Sequence, residues 1–232
     1  MKCGMNLARD GDIFVLSLGD EENRLNDDFL KEFNESIDEV EAASAPRALV
    51  TTAEGKTWSV GLDLDWMGAN QDRIPAFVAG VHEMYARVLS LGVPNAAAIQ
   101  GHCFAGGAML AIAFDQRVMR ADRGFFCLPE VDINIPFTPG MAALIQSRML
   151  KRTAHEMMTT GRRYGGSDAL AAGIVDEAVD EDQVVARAVE LVAPLAKNNP
   201  DTLATIKQRM YAETLAKLRH ADSNWPPAQN TA

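Results

Sequence analysis

Cysteine, positive charge and long apolar runs are all scarce in this chain, and each shortage excludes something. The three cysteines, Cys3, Cys103 and Cys127, are odd in number and far apart. No CxxC pair and no Cys/His spacing suits zinc, and a disulfide framework has nothing to form from. A reduced, cytoplasmic setting is therefore expected. No apolar run reaches the roughly 18 residues of a membrane span, and the first residues lack the apolar stretch of a secretory leader. The final residues, Trp225 to Ala232, read as a tail containing Pro and Asn with no peroxisomal or retention signal. Lysine and arginine number 22 against 32 aspartates and glutamates, for a net charge of −10. That balance excludes a general nucleic-acid binder, which needs a basic face to neutralise phosphates. One small anionic ligand stays open, because a few local cations or backbone N–H groups can hold it.

What the chain does have is an ordinary core-forming composition, 47% hydrophobic over 232 residues. A chain of this length buries roughly 70% of its unfolded surface. There is no internal repeat and no low-complexity tract. Ile13–Leu18, Arg47–Thr52 and Ala96–Ile99 read as buried strands. Arg117–Met119 and Gly124–Leu128 read as further short ones. Asn26 or Asp27 is placed to cap a helix whose apolar face is Phe29, Leu30, Phe33, Ile37 and Val40. Glu54 to Asp65 reads as a loop. Helices are expected over Ile74–Leu91 and Ala105–Ala113. From Thr138 onward the pattern is helical throughout: Met141–Leu150, Ala154–Thr159, Ser167–Ala172, Gln183–Ala196 and Asp201–Leu218. Strands separated by helices imply βαβ crossovers and a mostly parallel α/β core, followed by a helical extension.

Three segments have the makings of a site. Lys56-Thr57-Trp58-Ser59-Val60-Gly61-Leu62-Asp63-Leu64 follows a strand. It is either a surface turn or a loop that turns peptide N–H groups inward. Gly101-His102-Cys103-Phe104-Ala105-Gly106-Gly107-Ala108-Met109 puts two glycines at a helix start. These serve either close helix–sheet packing or an anion held by unpaired N–H groups. Neither a GxGxxG fingerprint nor a P-loop is present. Leu128-Pro129-Glu130-Val131-Asp132 sets one carboxylate among apolar neighbours. Glu130 is either a strand-end residue in solvent or a desolvated acid of raised pKa, usable as a proton shuttle.

Together these segments resemble the crotonase superfamily, also called the enoyl-CoA hydratase/isomerase family. The first is similar to that family's K-x-F-S-x-G-x-D-L, with Trp58 for the usual Phe. Ala105-Gly106-Gly107-Ala108-Met109-Leu110, with Asp115 and Arg117-Val118 beyond, is similar to its glycine-led helix, with Phe114 for the usual Cys. Leu128-Pro129-Glu130 matches its L-P-E. Ala154, Glu156, Thr160-Gly161, Ala169, Ala172-Gly173-Ile174-Val175-Asp176 and Val179 resemble a further signature. Order and intervals agree from about Leu7 to Leu218.

The resemblance implies an α/β fold of crotonase type. Residues 1–190 would form a ββα spiral core, and 191–232 a C-terminal helical trimerisation region and tail. It implies an oxyanion hole made by the peptide N–H groups of Leu62 and Gly106, holding the thioester oxygen of an acyl-CoA as an enolate develops. Val60, Asp63 and Leu64 would line the CoA path with them. Family hydratases carry a second glutamate three residues beyond the oxyanion glycine, which here is Met109. The stretches Val118–Phe125 and Glu130–Pro136 resemble the Δ3,Δ2-enoyl-CoA isomerases of the superfamily, whose single glutamate falls at Glu130. The implied activity is a 1,3-proton shift by Glu130 in fatty-acid β-oxidation, with no metal and no cofactor beyond the CoA of the substrate. A homotrimer or a dimer of trimers is expected, with no nucleic-acid or membrane partner. A hydratase, another enolate-forming enzyme or a silent acyl-CoA-binding homologue are the alternatives.

Other residues read as structural. His82, His102, His155 and His220 are scattered, and Cys103 and Cys127 read as buried thiols. Asp132 reads as a structural hydrogen-bonding residue, and Met84, Met109, Met141 and Met149 as adaptable core or acyl-pocket lining, Met109 among the residues the resemblance places against the substrate. Arg24 is a candidate cation for the CoA phosphates.

Overall fold

The computed structural model describes residues 4–220. The chain advances as a repeated unit of one strand in a large sheet, one short strand off it, and a helix. Strands β1 (Asn6–Asp10) and β2 (Ile13–Ser17) form an antiparallel hairpin, and β3 (Arg24–Leu25) leads into α1 (Asp27–Ala42). The next turn is β4 (Ala48–Thr52), β5 (Thr57–Ser59), β6 (Gly61–Leu62), α2 (Leu64–Ala69) and α3 (Ile74–Ser90). Then come β7 (Asn95–Ile99), β8 (His102–Phe104) and α4 (Ala105–Ala113). The last full turn is β9 (Gln116–Arg120), β10 (Phe126–Cys127) and α5 (Pro139–Arg148). Helices α6 (Lys151–Thr160) and α7 (Gly166–Ala171) precede β11 (Glu177–Val179), and α8 (Val184–Val192), α9 (Pro200–Met210) and α10 (Ala212–Leu218) follow.

The large sheet has the order β1-β2-β4-β7-β9-β11, parallel beyond the first pair. A small parallel sheet runs β10-β8-β5, and β3 pairs with β6. This is the ββα spiral that the resemblance implies. Strands β4 and β7 are buried along their whole length, as parallel strands covered on both faces must be. One face carries Phe14, Leu16, Leu49, Ala97 and Ile99 into the main core. The other packs Ala48, Val50, Ala96, Ala98 and Val118 against Val184, Ala188 and Val192 of α8.

Local signals operate as the sequence implies in the long elements. Asn26 caps α1 by accepting from the Phe29 N–H at 3.0 Å, and the five apolar residues expected inside are the five buried. Helix α4 is apolar all round, and Gly106 to Ala113 are all buried. Thr138 accepts from the Met141 N–H and starts α5 two residues earlier than its apolar pattern indicates.

Four expectations need correction. The loop expected over 54–65 holds β5, β6 and the start of α2, whose lengths of two to six residues are too short to show a period. The stretch after Thr138 is not wholly helical, because β11 joins the sheet beside β9. Gln183–Ala196 and Asp201–Leu218 are each broken, by a 3₁₀ turn at Ala193–Leu195 and at Tyr211 respectively. Strand β1 has no signature in the sequence, because its residues are mostly exposed and no buried alternation marks it.

Candidate active site

A cavity of about 140 Å³ lies where β6, the first turn of α4 and the segment after β10 converge. Its wall includes Val60, Leu62, Leu64, Phe104, Ala105, Gly106 and Met109 on one side, and Pro129, Glu130, Ile133, Ile135, Pro136, Phe137 and Met141 on the other. Glu130 is the one titratable side chain among these lining residues.

Glu130 is held in a tight turn rather than at a strand end. The Pro129 carbonyl accepts from the Asp132 and Ile133 N–H groups at 2.9 and 3.1 Å. The Glu130 carbonyl accepts from Ile135 N–H at 3.0 Å, and Asn134 takes a left-handed φ of 56° to allow it. This folds an apolar flap over the carboxylate, which is only 5% exposed. Its Oε2 is buried with no hydrogen-bond partner. Desolvation therefore dominates and pushes its pKa up to about 7, against a weaker lowering by a backbone N–H. Such a group exchanges protons readily near neutral pH.

Opposite it, two backbone segments are pressed together. Gly61 has φ of 86°, and a Cβ there would run into the Gly106 nitrogen and stand 3.0 Å from the Gly106 Cα. A Cβ on Gly107 would lie 2.6 Å from the Ser59 Cβ. Ser59 in turn donates to the Asn23 carbonyl at 2.7 Å and accepts from Gly61 N–H at 3.2 Å. Gly106 is the second residue of α4, so its N–H has no acceptor within the helix. Phe104, at the cap position, offers no side-chain acceptor. The Asp63 N–H donates to the Leu25 carbonyl at 2.9 Å. Alternation along the chain thus turns the Leu62 N–H to the opposite edge.

Of the residues singled out in the sequence, Glu130, Leu62, Gly106, Val60, Leu64 and Met109 all line this cavity. Leu64 is half-exposed, whereas Met109 is buried, one helical turn beyond Gly106. Asp63 is directed elsewhere. Its carboxylate caps α2 through the Trp66 N–H at 3.1 Å and accepts from Asn26 Nδ2 at 3.2 Å. Arg24 is tied to Glu22 and Asp65 by two 2.7 Å ion pairs, so its charge is already balanced.

Other residues of the motifs support the frame. Asp115 accepts from the Asn95 N–H at 3.2 Å and from Lys207 Nζ at 2.7 Å. Arg117 is buried and donates to the Ile174 and Phe114 carbonyls. Burial, and then the charge of Arg148, bring its pKa down to about 10. The Asp176 carboxylate accepts from the Arg117 N–H at 2.7 Å. His82 is buried between Thr138 Oγ1 and the Leu218 carbonyl, and burial lowers its pKa. His102 lies beside Phe104 and Phe125. Neither histidine lines the cavity. Burial pushes the Cys127 thiol up to about 11 and the Cys103 thiol well above its ordinary value. Among the described residues no three His, Cys, Asp or Glu side chains converge as metal ligands would, and no helix is long and apolar enough to cross a membrane.

Reading the sequence did not find the flap residues Ile133, Ile135 and Phe137 as lining, nor Tyr85, whose hydroxyl reaches the Gly106 carbonyl. The one local signal of the flap residues is an apolar stretch after Glu130, which a core strand shows equally.

Residues 10–224 match the protein-family model described as enoyl-CoA hydratase/isomerase. Enoyl-CoA delta isomerase 3 of Arabidopsis thaliana is 34% identical over 219 residues, covering 89% of this chain and 92% of its own. An enoyl-CoA isomerase of Mycobacterium tuberculosis superposes with a TM-score of 0.87 at 27% identity, covering 95% of this chain and 96% of that one. Human mitochondrial Δ3-Δ2-enoyl-CoA isomerase does so with a TM-score of 0.84 at 26% identity, covering 93% and 86%. The chain belongs to the enoyl-CoA hydratase/isomerase family and has its crotonase fold.

Proposed function

We propose that the protein is a Δ3,Δ2-enoyl-CoA isomerase in which Glu130 alone moves the proton. The observation that carries this reading is a single buried carboxylate facing an otherwise apolar cavity, with Met109 where a hydratase would need a second. Adding water across a double bond calls for two groups to hold and activate that water. A 1,3-proton shift calls for one group that takes a proton and returns it.

In the proposed reaction the thioester oxygen sits between the Leu62 and Gly106 N–H groups. Glu130, ionised, removes a proton from C2 of the 3-enoyl chain. The C2–H pair moves into the C1–C2 bond, and negative charge develops on the thioester oxygen. The C3–C4 π pair then takes the proton from Glu130 at C4, the enolate pair moves from C1–C2 into C2–C3, and the thioester carbonyl re-forms. The product is the 2-enoyl thioester, and the enzyme is restored. A well-aimed donor at the oxygen is worth on the order of 2.7–4 kcal/mol to such a step. The apolar flap keeps water from quenching the enolate.

The setting that goes with this reading is β-oxidation of unsaturated acyl chains, in a homotrimer or dimer of trimers that analytical ultracentrifugation would test. The decisive assay is a panel of 3-enoyl and 2-enoyl thioesters on wild type and Glu130→Gln. Isomerisation by wild type and none by the variant is the expected result. Hydration of 2-enoyl thioesters without isomerisation would overturn the reading.

A further inference from the structure

Helix α3 sends one phenol into the packed centre of the molecule. Tyr85 is fully buried, and its hydroxyl donates to the Gly106 carbonyl oxygen at 2.8 Å across 21 residues of sequence. A buried phenol needs a partner, yet this partner has no equal need of the phenol. The Gly106 carbonyl lies in the first turn of α4, where the helix supplies a donor four residues on. The second bond therefore restrains an oxygen that is already satisfied.

That turn needs restraint. Ala105 takes φ of 49°, a left-handed conformation unusual for alanine, and it is followed by two glycines. Gly61 and Ser59 press on the turn from one side. The Tyr85 hydrogen bond is directional, and it fixes the peptide plane that carries the Gly106 carbonyl. The Gly106 N–H hangs from the same Cα, so holding one plane limits the swing of the other. Burial first, and then the charge of Glu130, raise the Tyr85 pKa well above its ordinary value. The phenol thus stays a donor across the working pH range. Tyr85 is not part of the cavity wall, so any effect on substrate passes through Gly106.

We propose that Tyr85 is a positioning residue for the isomerisation, locking the first turn of α4 so that the Gly106 N–H stays aimed at the thioester oxygen. This rests on the reading of Gly106 as an oxyanion donor given above.

Tyr85→Phe keeps the ring in the core and removes only the donor. The expected result is a kcat lowered roughly five- to tenfold, the worth of one ordinary hydrogen bond. KM should stay near wild type, and the rising limb of the pH profile should not move. The direct readout is the infrared carbonyl band of a bound enoyl thioester labelled with carbon-13 at C1. Binding to wild type should shift that band to lower frequency, and Tyr85→Phe should lose part of the shift. Site-specific fluorotyrosines at position 85 keep the shape and the hydroxyl while sharpening the donor. They should restore both rate and band shift, and they carry the test if Tyr85→Phe does not fold.

A Tyr85→Phe enzyme with wild-type kcat and band shift would overturn the proposal. So would a lost rate with an unchanged band, or a loss that fluorotyrosine fails to restore. If wild type shifts the carbonyl band yet isomerises nothing, the isomerase reading fails while Tyr85 is still judged by the band. If wild type shows neither, both fail.

Discussion

Gly61 and Gly106 meet backbone to backbone, at a separation that leaves no room for a Cβ on Gly61. The contact joins the strand that presents Leu62 to the helix start that presents Gly106, so the spacing of the two proposed donors is set by main chain. Main-chain contacts do not change rotamer, which suits a site that must hold one geometry.

Gly61→Ala should therefore fail twice. The left-handed φ costs a non-glycine residue about 1–2 kcal/mol, and the new methyl pushes the Gly106 nitrogen away. Isomerase activity should fall on the order of 100-fold, as for a misplacement of about 1 Å, with a lower urea midpoint. Wild-type activity in this variant would show that the donors are not set by this contact.

Glu130 should destabilise the fold when it is ionised. Its folded pKa of about 7 lies above the ordinary value of 4.5, so the folded state binds more protons than the unfolded state between these limits. The favourable contribution is complete below about pH 4.5 and is lost as pH rises through about 7. At pH 8 the penalty is on the order of 3 kcal/mol. Glu130→Gln should be more stable than wild type at pH 8, with the gap closing toward pH 4.5. Urea titrations at the two pH values check this, and a gap independent of pH would contradict it.

The same group sets the expected pH dependence of rate. In the proposed reaction Glu130 acts ionised, so kcat/KM should rise about tenfold per pH unit below about 7 and level off above it. A profile already flat from pH 5 would mean that Glu130 is not the base.

Met109→Glu tests the proposed single-carboxylate chemistry. A second carboxylate facing the same cavity raises the pKa of the first by like-charge repulsion. The rising limb of the isomerase profile should move to higher pH, and hydration of 2-enoyl thioesters should become measurable. An unmoved limb would show that the two side chains do not share the cavity.

Away from the cavity, Lys207 is buried and its ammonium rests on Asp115 and the Leu91 carbonyl. Asp115→Ala strands that charge and should cost about 3–5 kcal/mol, as breaking a buried pair does. Lys207→Met removes the buried charge itself and should cost less, since Asp115 keeps the Asn95 N–H. Chemical denaturation of the two variants gives the order, and the reverse order would refute the account.

Some of this molecule is determined by local sequence. The five apolar positions of α1 with the Asn26 cap and the apolar run of α4 act within a few residues of chain. Pattern and spacing are enough to locate them. Whether Glu130 meets solvent or a dry pocket is decided elsewhere. The turn from Pro129 to Ile135 must fold an apolar flap back over the carboxylate before burial can raise its pKa. Strand β11 exists because β9 offers it an edge, and three residues carry no period of their own. The Tyr85–Gly106 and Lys207–Asp115 contacts join residues 21 and 92 positions apart. Desolvation and long-range hydrogen bonds depend on what the rest of the chain brings near, and only the assembled spiral supplies that.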